Sequence, residues 1–121
     1  MRQPLNISIV DDDDDVRASI ENYFRSAGLD VHMFSSAEAF LASPIRLSTD
    51  CLVTDLNMPG LDGFGLQREL NRLGRDFPVI VMTGYPTREA REGSQKEGAA
   101  AFLEKPIDPD ALLETVEAMC A

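Results

Sequence analysis

Residues 6–15 read Asn6-Ile7-Ser8-Ile9-Val10-Asp11-Asp12-Asp13-Asp14-Asp15, an apolar run that stops against five consecutive aspartates. Ile7, Ile9 and Val10 are β-branched and the run is short, which predicts a buried strand. In an open parallel α/β sheet, sites lie just beyond the carboxyl ends of the strands, and the acid run falls at such an end. Carboxylates crowded together repel one another. A hard cation that takes oxygen ligands, Mg2+ or Ca2+, relieves that repulsion. The preference for Asp at a helix N-cap accounts for one or two of the five, not for all of them. The stretch therefore predicts a cation site.

Helix and strand signals alternate downstream. Val16, Ile20, Phe24 and Ala27 recur at helical spacing, and Gly28 stands where a C-cap glycine belongs. Val31, Met33 and Phe34 give a second strand. Ser35 to Glu38 fit a capping box opening a second helix, with Phe40 and Leu41 inward, and Pro44 ends it. Cys51 to Thr54 form a third strand, followed by Asp55. Residues 57–63, NMPGLDG, are a turn-rich loop, and Leu66, Leu70 and Leu73 mark a third helix. Residues 78–82, PVIVM, are a fourth strand closed by Thr83-Gly84. Thr87 caps a fourth helix running to about Glu97. Ala100 to Leu103 make a fifth strand that ends at Glu104-Lys105-Pro106. Asp108-Pro109 starts a last helix whose Leu112, Leu113, Val116 and Met119 face the core. Five β-α repeats argue an α/β fold, a parallel sheet with helices on both faces. Right-handed crossovers put all strand ends on one side.

Composition narrows the function. A chain of 121 residues is one domain, and 44% apolar content fills one core. The net charge of −10 argues against direct nucleic-acid binding or an anionic membrane surface. Cys51 and Cys120 have no framework spacing, and Cys51 reads as a buried thiol, which fits a reducing, cytoplasmic setting. No apolar run approaches the roughly 20 residues of a spanning helix, and Met1 to Asn6 lead into a run too short for a signal peptide. His32, the only histidine, sits mid-strand and reads as structural.

The acid run, Asp55, Thr83 and Lys105 follow strands one, three, four and five, and so meet at one edge. Singly, Asp55 reads as a turn residue, Thr83 as a strand-end group and Lys105 as a solvated lysine. Together they compose phosphoryl-transfer chemistry. A carboxylate can act as nucleophile towards a phosphoryl group. A cation, a lysine and a hydroxyl can stabilise charge on the equatorial oxygens.

IVDDDDDVR, LVTDLNMPGLDG, VIVMTG and AFLEKP resemble, in order and spacing, the receiver (phosphoacceptor) domain of bacterial two-component response regulators. The resemblance covers nearly the whole chain, residues 1–121 as one receiver domain. VDDDDDVRASI, SSAEAFL and VTDLNMPG are closest to the FixJ-like group. The resemblance implies a flavodoxin-like three-layer (βα)5 sandwich with strand order 2-1-3-4-5. It implies a sensor histidine kinase or phosphotransfer protein as phosphoryl donor, Mg2+ (or Mn2+) as cofactor, and an effector domain or homodimer partner. By position, Asp55 matches the phosphoacceptor. Asp12, Asp55 and the backbone carbonyl of Asn57 match the metal ligands, with Asp11 acting through water. Thr83, Lys105 and Phe102 match the switch hydroxyl, phosphate lysine and switch aromatic. Pro106 matches a proline preceded by a cis peptide. The run of five aspartates leaves the register of the acid pair open by one place, with Asp13 to Asp15 read as surplus charge at a helix start.

Rival readings fit less. A phosphohydrolase of the haloacid dehalogenase type would use Asp11 and Asp13, but Asp108 and Asp110 follow Lys105 too closely for its later acid pair, and Asp55 would have no role. A flavodoxin would place its phosphate against five aspartates. An EF-hand needs Gly and Glu where Val16 and Asn22 stand. A binding-only scaffold that has lost phosphorylation stays open as an alternative, although every key side chain is present. The fourth helix departs from the family pattern, since its polar residues surround only Ala90, with Gly93 in the middle. This predicts that Thr87 to Glu97 is the least stable part of the fold.

Overall fold

Five strands and five α-helices alternate in the computed structural model, which describes residues 4–120. They are β1 (Asn6–Val10), α1 (Asp14–Ser26), β2 (Asp30–Phe34), α2 (Ala37–Ala42), β3 (Cys51–Asp55), α3 (Gly63–Arg72), β4 (Val79–Thr83), α4 (Arg88–Lys96), β5 (Ala101–Glu104) and α5 (Pro109–Met119). Residues 1–3 and 121, assigned above to the same domain, lie outside the described residues. All strand pairs are parallel and the order is β2-β1-β3-β4-β5, the flavodoxin-like order.

Side-chain alternation along the strands sorts the core into two layers. Ile7, Ile9, Val53, Ile80 and Met82 pack with Ile20 and Phe24 of α1 and Leu112 and Val116 of α5. Val10, Leu52, Val79 and Val81 pack on the other face with residues of α2, α3 and α4. Both faces are therefore covered, as the near-continuous apolar strands require.

The helix ends follow their local chemistry, with some shifts from expectation. Asp13 caps α1, accepting from the N–H groups of Asp15 and Val16, and Gly28 leaves the helix at φ 85°. Ala27, expected on the inward stripe, is exposed at this C-cap. The cap of α2 is Ser36, which accepts from Ala39 N–H, so the box anticipated at Ser35 is one residue out of register. Glu38 instead accepts from the Leu61 N–H and steadies the 57–63 loop. Pro44 does not simply end the helix but opens a 3-10 helix over Pro44–Ser48. Leu73 and Met119 come out exposed, because each lies at the frayed end of its helix.

The inward face of α4 holds more than Ala90. Ser94 is also buried, and its carbonyl accepts from buried Gln67 Nε2 at 3.2 Å. Asn71 Nδ2 donates to the Glu97 carbonyl at 2.8 Å, and Arg68 pairs with Glu97 at 3.1 Å. Polar residues thus tie α4 to α3. Gly93 lets Phe64 approach, for a Cβ there would stand 2.8 Å from Phe64 Cε1. Gly93→Ala gains roughly 1 kcal/mol of helix propensity but overpacks this contact, at about 1–3 kcal/mol. A net loss of about 1 kcal/mol is expected in a urea melt; a gain would mean that Phe64 swings aside freely.

Candidate functional site

Strand register delivers the site residues. Val10 pairs with Thr54, so Asp11 leaves β1 beside Asp55, the last residue of β3. Thr83 ends β4 opposite Glu104, and Lys105 is the next residue. Lys105 N–H also donates to the Thr83 carbonyl at 2.8 Å. The Lys105–Pro106 peptide bond is cis.

Four charged side chains converge there. Asp11 is fully buried, Asp55 is 4% exposed and Asp12 is open to solvent. One carboxylate oxygen from each lies within 4.8 Å of the others. Lys105 Nζ donates to Asp11 Oδ2 at 2.8 Å and stands 3.3 Å from Asp55 Oδ2. Asp11 Oδ1 accepts from the Asp13 N–H at 2.9 Å. Asp13 turns away to cap α1, and Asp14 pairs with Arg17. The D-x-D pair of the phosphohydrolase reading is therefore not assembled, and an EF-hand loop is excluded by a helix that begins at Asp14.

Burial and charge together set the titration. Burial, then the Asp11 charge, push the Asp55 carboxyl above its ordinary value, and the attraction of Lys105 and the Asn57 N–H offset this only in part. Burial alone would lower the Lys105 ammonium, but its bond to Asp11 and the charges of Asp11 and Asp55 outweigh that and hold it above its usual range.

Thr83 is buried. Its hydroxyl donates to Asn57 Oδ1 at 2.6 Å and accepts from the Tyr85 N–H at 2.9 Å. Phe102 is half-buried against the α2–α4 layer, with the Arg91 guanidinium 4.7 Å above its ring. Two contacts at these strand ends were not anticipated from the sequence. The Asn57 side chain bonds to Thr83, and Arg17 Nη1 donates to the Asp11 carbonyl at 2.6 Å. The first carries no spacing signal, because the partners are 26 residues apart. The second follows from helical phase, which brings Arg17 of the first turn of α1 back over the end of β1.

The donor set suits a hard divalent cation. Among the described residues, three carboxylates face one ammonium, and the ligand atoms they offer are oxygens.

A parallel β2-β1-β3-β4-β5 sheet with clustered acids and a lysine at its strand ends defines a CheY-like receiver fold. Residues 7–117 match the family model described as "Response regulator receiver domain", and the chain belongs to that family, the signalling receivers of two-component response regulators. It is similar to the "Transcriptional regulatory protein FixJ" of Azorhizobium caulinodans, 43% identical over 118 residues, 98% of this chain and 56% of the relative. "Nodulation protein W" of Bradyrhizobium diazoefficiens is 41% identical over 112 residues, 93% of this chain and 49% of the relative. The crystal structure of FixJ-N superimposes with a TM-score of 0.87 at 36% identity, covering 98% of this chain and 95% of that one. The chain spans about half the length of the curated relatives it matches. Among the described residues, no helix is long and apolar enough to cross a membrane.

Proposed function

We propose that Asp55 accepts a phosphoryl group from the phosphohistidine of a sensor histidine kinase or phosphotransfer protein. The observation that carries this reading is the Asp55 carboxylate itself. It is nearly buried at the end of β3, within 3.3 Å of a lysine ammonium and beside two further acids. An Asp55 oxygen forms the new bond to phosphorus as the donor's nitrogen–phosphorus bond breaks, and the electron pair leaves with the imidazole. The nucleophile has to be ionised. Lys105 and the Asn57 N–H favour that form against burial and Asp11. After transfer, the Lys105 ammonium and the Thr83 hydroxyl hold phosphoryl oxygens, and Phe102 follows the movement of β4 and β5. Asp12, Asp55 and the Asn57 carbonyl would hold Mg2+ (or Mn2+), with Asp11 through water. The cation supplies positive charge to the phosphoryl oxygens.

Residues 1–121 act in this reading as a single cytoplasmic receiver domain, coupled to an effector domain or a second copy. It contacts neither nucleic acid nor membrane directly. An apolar groove of about 480 Å3 between α1 and the β5–α5 turn, lined by Val16, Ile20, Pro106 and Ile107, also includes Lys105. It shares Lys105 with the site. Intact mass after incubation with an acyl phosphate and Mg2+ tests the reading. One added phosphoryl group, mapped to Asp55, is expected, and no addition would favour a receiver fold that only binds.

Cation binding has its own expected result. Occupancy stabilises the fold by linkage, about 2.7 kcal/mol at a hundredfold excess over Kd. Thermal melts should shift upward with millimolar Mg2+, and Asp12→Ala should lose most of the shift. An undiminished shift in that variant would remove Asp12 from the site.

A further inference from the structure

Thr83 has one hydroxyl proton, and Asn57 holds it. The hydroxyl donates to Asn57 Oδ1 at 2.6 Å while its oxygen accepts from the Tyr85 N–H at 2.9 Å. The Asn57 N–H donates in turn to Asp55 Oδ1 at 3.2 Å. One residue therefore touches both the acceptor carboxylate and the hydroxyl that would hold the transferred group. The two partners differ in surroundings, since Thr83 is fully buried and Asn57 is exposed. A buried hydroxyl left without a partner is costly, whereas an exposed amide exchanges its partner for water at little cost. The pair is built to open from the Asn57 side.

We infer that the Asn57 side-chain amide is a latch on Thr83. It holds the hydroxyl proton while Asp55 is unmodified and has to let go before Thr83 can donate to a phosphoryl oxygen. The inference rests on the roles proposed above for Asp55 and Thr83. No covalent bond is involved. The O–H to Oδ1 hydrogen bond breaks, an O–H to phosphoryl oxygen bond forms, and Oδ1 turns to water. The Tyr85 N–H is bound to the same hydroxyl oxygen, so the change passes into the chain between β4 and α4. Asn57 is a positioning residue in this scheme. It sets how much of the transferred group's binding free energy is needed to move the switch.

The test uses beryllofluoride, a phosphoryl mimic, titrated with Mg2+ into the whole chain and followed by the amide resonances of Thr83 and Tyr85. Asn57→Ala keeps the backbone carbonyl and removes only the latch. It is expected to bind the mimic about fivefold tighter than the wild type, the factor one net hydrogen bond contributes. With neither metal nor mimic present, its Tyr85 amide should already lie part of the way towards the bound position. In a Thr83→Ala background, Asn57→Ala should change affinity by less than about twofold, because no proton is left to hold. Affinity equal to wild type, or an unmoved Tyr85 amide, overturns the latch. So does a gain that persists in the Thr83→Ala background, which would place the effect on the cation or the loop. Failure of the underlying reading looks different, for then Asp55→Asn would bind the mimic as tightly as the wild type.

Discussion

Asp55→Asn is expected to take up essentially no phosphoryl group from an acyl phosphate and Mg2+, a fall of roughly three orders of magnitude or more, as for removal of an enzyme's nucleophile. Asn has the shape of Asp and keeps the contact to the Asn57 N–H, but its amide oxygen is a poor nucleophile. The same variant should melt higher than wild type in neutral, metal-free buffer. The folded Asp55 carboxyl is raised above its ordinary value by burial and Asp11. The folded state therefore holds that proton more tightly than the unfolded chain. Stability is lost as pH rises through the raised value and regained as pH falls towards the ordinary one. Asn removes the penalty. Mass spectrometry and melts in chelator check both parts. Wild-type uptake in Asp55→Asn, with uptake lost in Asp11→Asn, would return the chain to the phosphohydrolase class.

The fold was legible because each strand is a short apolar block bounded by a helix cap or a turn. Asp13, Ser36, Asp62, Thr87 and Asp108 all cap helices in the structure, and the alternation they enforce leaves little choice of architecture. The misplacements are of another kind. Ser35 and Ser36 are equally good caps, so only packing of Ala37 and Phe40 into the core decides between them. The 3-10 helix after Ser43 spans only Pro44–Ser48, too few residues to show a repeating apolar stripe. Two ties of α4 were hidden as well, for Gln67 and Asn71 of α3 donate to the carbonyls of Ser94 and of the C-cap Glu97. Such side-chain-to-backbone bonds leave no mark on hydrophobic periodicity.

The site was legible as a set of residue types at successive strand ends. Its hydrogen-bond state was not. The strand register brings Asp11, Asp12, Asp55 and Lys105 together, and burial differs along the five-aspartate run. Asp11 is buried, Asp12 is exposed but near the cluster, and Asp13 to Asp15 belong to the start of α1. The direction in which Thr83 donates depends on which acceptor the folded chain brings to its hydroxyl, here Asn57 Oδ1. Spacing along the chain does not encode that choice, so the bond to Asn57 emerges only from three dimensions.

Lys105→Ala is expected to destabilise the metal-free chain by about 2–3 kcal/mol, near the low end of what breaking a buried ion pair costs. The low end applies because the lysine side chain is 20% exposed, while Asp11 is fully buried and loses the one side-chain cation that pairs with it among the described residues. Linkage agrees in sign. The folded lysine is held above its ordinary range, so its contribution is full below that range and is lost only as pH rises through the raised value. Without the ammonium the three carboxylates repel unopposed. Mg2+ should therefore raise the melting temperature of the variant more than that of the wild type, which is the opposite of what a generally damaged fold would do. Phosphoryl uptake should fall less than signalling, since the attacking oxygen belongs to Asp55. What the variant lacks is the attraction between the new phosphoryl charge and the end of β5, where Lys105 is bonded through its backbone to the Thr83 carbonyl. Amide spectra separate the two effects. If phosphorylated Lys105→Ala shows the same displacement over Thr83 to Tyr85 as the phosphorylated wild type, the lysine is a stabilising counter-charge only, and Thr83 alone carries the switch.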